Sequence, residues 1–379
     1  MKTEQVRWSK DASWQPHPPG RLAPAPQLAL VFGSTALIQD SAPLEEIRRA
    51  CPGAELFGCS TAGEIRGTHV ADESLVVTAV HFEHTRVQAA ALPIGKPEDS
   101  LEVGRRLAGA VDPQGLRHAF VLSDGLGVNG SDLVRGLKAG LPAGVPVTGG
   151  LSGDGPRFER TAIVRSDGAH TGMVGILGFH GEKLSVGYGS LGGWDPFGPE
   201  RLITRSSGNV LHELDGKSAL ALYKEYLGEH AQGLPATGLL FPLSLRLAQG
   251  GTPVVRTILS IDEHTHGMTF AGDMPTGAYA RLMKANFDRL IDGATGAARA
   301  AAQGLGAVPA ELAVLVSCVG RKLVLKQRVE EEVETVREVL GERPAITGFY
   351  SYGEICPFAA GGPSELHNQT MTITAFSEA

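Results

Sequence analysis

A chain of 379 residues, 42% hydrophobic and 20% charged, is long enough to bury the cores of two ordinary domains. A formal charge of -7 and a pI near 6.0 exclude a general nucleic-acid binder, because counterion release needs a clustered excess of Lys and Arg and no such block is present. The cysteines, Cys51, Cys59, Cys318 and Cys356, lie far apart with no CxxC pair, so reduced thiols are expected rather than a disulfide framework or a structural zinc site.

Residues 1–26 carry charges, two Trp and the prolines Pro16, Pro18, Pro19, Pro24 and Pro26, which disfavour helix and central strand. A flexible N-terminal arm is expected there. It lacks the apolar core of a signal peptide, and no run approaches a membrane span, so the expectation is a cytoplasmic protein. Leu28 to Phe32 then reads as a buried strand, Pro43 to Ala50 as a helix, and Ala54 to Phe57 as a second strand. Ser74 to Phe82 and Thr85 to Leu92 read as strands joined by a tight connection, and Leu101 to Ala110 as a helix. The first pattern recurs with strand Ala119 to Ser123, helix Ser131 to Ala139 and strand Val145 to Thr148.

From Arg160 to Ser190 the texture becomes that of antiparallel strands, with Asp167-Gly168 as a hairpin turn. The stretch Gly192 to Pro199 is the richest in Gly and Pro, which places a domain junction near residue 205 and domains at 27–205 and 206–379. The second domain opens with Asn209 to Leu214 and a helix from Ser218 to Leu227. Strands are expected at Gly238 to Leu243 and Val254 to Ile261, then one Ala-rich helix from about Met283 to Ala302, with Gly293 and Gly296 as points of interruption. Leu312 to Ser317 is another buried-type strand, followed by a charged helix from Val329 to Leu340.

Two segments share the pattern G-x-x-S/T-x-G-E-I, each directly after an apolar run: Gly58 to Ile65 and Gly348 to Ile355. A looser instance, Gly149-Gly150-Leu151-Ser152-Gly153-Asp154, has one residue fewer. Two related halves follow from this, in an α/β fold of mixed α+β character: layered sheet-and-helix domains built from repeated strand, helix, strand and glycine-turn units. Glycine turns after strands can present backbone N–H groups to a carboxylate or phosphate, and they can equally serve only close packing and positive φ.

Together with Leu28 to Phe32, the segments Gly58 to Ile65 and Gly149 to Asp154 resemble the FIST N-terminal domain. Asn209 to Gly216, Arg256 to Ser260, Ser317 to Arg321, Gly348 to Ile355 and Glu365 to Thr370 resemble the FIST C-terminal domain, so the likeness spans nearly the whole chain after the arm. The resemblance implies a sensory, small-ligand-binding protein of signal transduction, with an amino acid or small acid as ligand and a separate output protein as partner. It also implies an alternative, a haem-binding nitric oxide sensor that regulates a histidine kinase.

The residues themselves nominate a site. Arg321, at a strand end, can meet an acidic group bidentately or pair with Glu354. Tyr350 and Tyr352 can stack on a ligand or pack in the core, and Ser351, Glu354 and Asn368 add polar groups beside them. His367 shares a strand face with apolar neighbours, as a satisfied core residue or as the iron ligand were haem bound. Secondary candidates are Ser60 and Glu64 in the first signature and the thiols Cys59 and Cys318, which leave a cysteine-dependent enzyme as a third reading. No catalytic His with an orienting acid is placed by the sequence, and G-x-S-x-G, P-loop and dinucleotide motifs are absent, so no enzyme is expected.

Overall fold

The computed structural model describes residues 1–248, 250, 253–359 and 361–378. Three apolar runs, Leu28–Gly33, Leu116–Ser123 and Leu312–Cys318, form strands buried along nearly their whole length, as strands covered on both faces are. Each pairs in parallel with a strand that leads into a glycine signature: Glu55–Ser60, Val147–Leu151 and Ala345–Ser351. Parallel neighbours need a crossover, and the helices Ser41–Ala50, Gly130–Gly140 and Glu331–Leu340 supply it. On the other side of each first strand lies an antiparallel one: Ser74–His81, Met173–His180 and Met371–Glu378. The fold is therefore α/β with mixed sheets, as expected. The looser signature around Asp154 is a full member, so there are three repeats where the sequence suggested two related halves.

The repeats exchange strands in a ring. Glu64–Arg66, after the first signature, joins the third repeat at Ala345–Ser351. Gly353–Pro357, after the third, joins the second at Val147–Leu151, and Ile163–Arg165, after the second, joins the first at Glu55–Ser60. The outer edges follow the same rule, with Arg86–Pro93 passing into the second repeat and Leu184–Leu191 into the third. Lys2–Ser9 closes the ring by pairing with Ser74–His81 over its entire length. This corrects the expected flexible arm: residues 2–9 contain no proline and form a strand, whereas the prolines fall in 16–26, where no strand or helix forms.

Phe32, Phe57, Phe120, Phe349 and Phe376 come from all three repeats and form one apolar core between the sheets, with the Phe32 and Phe349 rings 4.8 Å apart. Burial of each such side chain contributes about 1.5–3 kcal/mol. The first glycine of each signature is fixed by strand spacing. A Cβ at Gly58, Gly149 or Gly348 would stand 1.7, 1.9 or 2.0 Å from the carbonyl oxygen of Val31, Val121 or Leu315 on the parallel partner strand. Any side chain there would separate the pair. These glycines are architecture.

After Leu184–Leu191 the chain builds a separate sheet before returning to the third repeat. Trp194–Ser207 pairs with Tyr279–Ala285 on one side and Val210–Leu214 on the other. The helix Ala219–Leu227 covers its core of Ile203, Leu220, Met268 and Phe270. The Gly- and Pro-rich stretch read as a junction is the entry to that long strand, with a register irregularity between Phe197 and Arg201. The strand expected at Gly238 to Leu243 begins as a 3₁₀ turn, Ala236–Leu240, and becomes strand only at Leu243–Arg246. The Ala-rich helix runs unbroken over Phe287–Leu305. Gly293 lets it lie against the neighbouring strand end, because a Cβ there would stand 1.7 Å from the Gly192 carbonyl oxygen.

Candidate functional site

The acids of the signatures close their own turns. Glu64 accepts bonds from the Thr61 hydroxyl and from both the backbone N–H and the hydroxyl of Ser74. Glu354 repeats the arrangement, with Ser351 at 2.6 Å and the Thr370 N–H and hydroxyl at 3.1 and 2.9 Å. Asp154 accepts the N–H groups of Phe158, Glu159 and Arg160 and the Tyr352 hydroxyl. Burial pushes the Glu64 carboxyl up to about 7 and the Glu354 carboxyl up to about 8, against the lowering effect of those bonds.

A pH dependence follows. The folded chain holds these protons to higher pH than the unfolded chain, so the stability they contribute is complete below about 4.5 and is lost as pH rises through about 8. The buried His118 and His367, pulled down by desolvation to about 3 and about 4, act in the opposite direction only below about 6.5. Between about pH 6.5 and 9 the unfolding free energy is expected to fall by about 3 kcal/mol, and Glu354→Gln should remove most of that slope. Urea midpoints across this range check it, and a wild-type midpoint that rises would contradict it.

Arg321 is fully buried, and its partner is Glu332 rather than Glu354. Its Nε and Nη2 lie 2.9 and 2.7 Å from Glu332 Oε2, and Nη2 and Nη1 also donate to the carbonyls of Leu290 and Gly192. The other Glu332 oxygen accepts the Tyr350 hydroxyl at 2.6 Å and the Ser317 hydroxyl at 3.2 Å. The network ties the third-repeat strands to three helices, Phe287–Leu305, Val319–Leu325 and Glu331–Leu340, and to the point where the inserted sheet departs. With the guanidinium and phenol both engaged inside the core, neither faces a ligand cavity.

The remaining sequence candidates are also placed in packed surroundings. Tyr352 is clamped by Asp154 and the Gly155 carbonyl, and Phe158 stacks on its ring at 4.3 Å. Asn368 accepts from the Thr257 N–H and donates to the Tyr352 carbonyl, both at 3.3 Å. Ser60 accepts the Ala162 N–H at 2.9 Å. His367 is buried, with Nε2–H donating to the Cys356 carbonyl at 2.8 Å and Phe358 edge-on at 4.3 Å. The enclosed imidazole ring lines neither of the larger cavities, so in this structure His367 does not fit an axial iron ligand. Among the described residues no group of three or more His, Cys, Asp or Glu is placed to hold a metal ion.

Cys59 and Cys318 are buried, and burial pushes both thiols well up, in Cys318 with added help from the Glu354 charge. Both should resist iodoacetamide in the folded protein at neutral pH and react only on unfolding. Rapid, selective alkylation of either one would reverse this assignment.

A true cleft opens elsewhere. It measures about 540 Å³, within the range of small-molecule sites, and lies between the helix Gly130–Gly140, the inserted strands Leu243–Arg246 and Val254–Arg256, and the strand Ser364–His367. Its walls are largely apolar, with Val134, Leu245, Val254, Phe358 and Leu366 among them. Arg256 lies in its floor, 5% exposed, and no carboxylate reaches salt-bridge distance of it among the described residues. The guanidinium instead touches neutral oxygens: the Leu366 carbonyl at 3.1 Å, the Val255 carbonyl at 3.2 Å and the Asp273 carbonyl at 3.3 Å. Ser131 Oγ stands 3.5 Å away, and desolvation pulls the group down only to about 10, so it stays charged at neutral pH. Glu365, half-buried on the same cleft, has no ion-pair partner among the described residues, whereas Asp273 is held by Asn129 and Arg135.

A buried cation and a separate acid facing one cavity can hold opposite ends of a small acid or zwitterion. Arg256 escaped the sequence reasoning, although it stands in one of the family-like segments. The available signal was an arginine inside the apolar run Val254-Val255-Arg256-Thr257-Ile258, where a charge must be buried.

The architecture is one of repeated α/β units with an inserted sheet and a cleft between them, and among the described residues no helix is long and apolar enough to cross a membrane. The FIST N domain matches residues 27–217 and the FIST C domain matches residues 219–357. The chain belongs to the FIST family, whose domains are small-ligand sensory domains of signalling proteins. No curated protein matches it. One solved structure with a match is the cyanuric acid hydrolase from A. caulinodans, at 12% identity over 78% of this chain and 99% of that one, with a TM-score of 0.18, too low to bear on activity.

Proposed function

We propose that this protein is a cytoplasmic sensor that binds a small carboxylic acid or amino acid in the Arg256 cleft and acts on a separate signalling protein. The observation that carries this reading is the buried, charged Arg256, with no carboxylate partner among the described residues, in the floor of a 540 Å³ cleft. The ligand carboxylate takes the Nη2 end of the guanidinium, whose Nε and Nη1 are held by carbonyls, an ammonium group takes Glu365, and the apolar walls select the side chain. Its walls come from the second repeat, the inserted sheet and the third repeat, so occupancy joins three parts of the fold. Binding rather than catalysis is favoured because the thiols are buried and protonated.

The test is calorimetric titration with a panel of amino acids and short carboxylic acids. Saturable binding of at least one, lost in Arg256→Gln, supports the reading. A panel with no hit, or a hit indifferent to Arg256→Gln, removes it.

A further inference from the structure

A second cavity, of about 510 Å³, lies on a different part of the ring, where the closing strand Lys2–Ser9, the tight turn after Glu64–Arg66 and the helix Glu331–Leu340 meet. Its lining is polar and carries two guanidiniums, Arg66 and Arg337, with Gln5, Thr68, His69 and Glu342 beside them. Arg66 is half-buried, its Nε has no hydrogen-bond partner, and no carboxylate lies within ion-pair distance of it among the described residues. Burial, and then the neighbouring Arg7 charge, pull its guanidinium below the ordinary value.

Arg337 uses one nitrogen to cap the Gly341 and Pro344 carbonyls at 3.0 and 2.9 Å and forms no ion pair among the described residues. The acids nearby do not neutralise the pair. Glu342 is exposed at the rim and meets neither arginine at ion-pair distance, and Glu330 is occupied by His69 and the Val70 N–H. Two guanidiniums on one basin, neither paired with a carboxylate among the described residues, leave a site whose missing component is an anion.

We propose that this basin is a second ligand site, which takes a phosphate group between the Arg66 and Arg337 guanidiniums with the Thr68 hydroxyl and the His69 ring alongside. A phosphomonoester meets the two forks with a charge near two, and the volume leaves room for the molecule that carries it. Free phosphate presents the same chemistry.

The experiment titrates the full chain with inorganic phosphate and with AMP at constant ionic strength, and separately with a carboxylate that fills the Arg256 cleft. Saturable binding is expected, weakened at least roughly tenfold in Arg66→Gln and tightened about twofold in Glu342→Gln, with the carboxylate response retained in Arg66→Gln. AMP tighter than phosphate assigns a phosphorylated small molecule, and phosphate as tight or tighter assigns the free ion. No saturable binding of either, or affinity unchanged in Arg66→Gln, overturns the proposal. Should Arg66→Gln fail to fold, Glu342→Gln decides it: unchanged or weaker phosphate binding overturns the site. Since the two cavities share no lining residue, loss of one response leaves the other readable.

Discussion

Arg321→Ala is expected to lower the unfolding free energy by about 3–5 kcal/mol, because it leaves the Glu332 carboxylate buried without a counter-charge. Both side chains are 0% exposed, so solvent cannot screen the loss. The damage would spread through four neighbours that share the network: the Tyr350 and Ser317 hydroxyls on Glu332, and the Leu290 and Gly192 carbonyls on Arg321. Glu332→Gln keeps shape but strands the guanidinium, and should cost nearly as much. Replacing both by apolar residues of similar volume, Arg321→Met with Glu332→Leu, should cost well below the sum, since neither charge is then left alone. Urea denaturation of the single and double variants measures this. Single-variant losses within about 0.5 kcal/mol would show that the pair contributes only as an exposed one does.

The contrast between Arg321 and Arg256 shows what the sequence can and cannot convey. Arg256 ends a short strand and Arg321, expected at a strand end, lies in the helix Val319–Leu325 that follows one, and both belong to segments that resemble the family. Arg321 meets its acid eleven residues onward, across a helix, a distance at which sequence shows the charges but not their pairing. Arg256 touches backbone carbonyls, and nothing in its own segment announces that Asp273 and Glu365 act on it only through their field, neither at ion-pair distance among the described residues. Strand and helix types were legible because buried parallel strands are continuous apolar runs.

The repeats were legible because the glycine positions are set by interstrand contact at Gly58, Gly149 and Gly348. Three repeats read as two because the second signature has lost a residue between Ser152 and Gly153, which hides its acid. The exchange of strands between repeats has no local signal at all, and Lys2–Ser9 was masked by the prolines that follow it. The signature tyrosines and His367 were read as ligand contacts because a polar tip on an apolar body serves a core as well as a site. Here each tip has a partner in Glu332, Asp154 or the Cys356 carbonyl.

Arg256→Gln is expected to weaken ligand binding on the order of hundredfold, since the Gln amide stands near the Nε position and can keep the Asp273 carbonyl but carries no charge and does not extend to the Nη positions. Arg256→Lys should fall between, with charge retained and the carbonyl bonds that orient the guanidinium lost. Glu365→Gln separates ligand types: an amino acid loses the ammonium contact and binds more weakly, whereas a simple carboxylate is unaffected or binds more tightly. Fluorescence or calorimetric affinities of these variants therefore map the cleft as well as test it.

The most direct measurement is a calorimetric titration of wild-type protein and Arg256→Gln with the tightest carboxylate or amino acid from the panel. The cleft account predicts one saturable site in the wild type and loss of measurable binding in the variant, with Arg321→Gln, where it folds, retaining the wild-type affinity. Wild-type affinity in Arg256→Gln, together with loss in Arg321→Gln, would contradict it and move the site to the core of the third repeat.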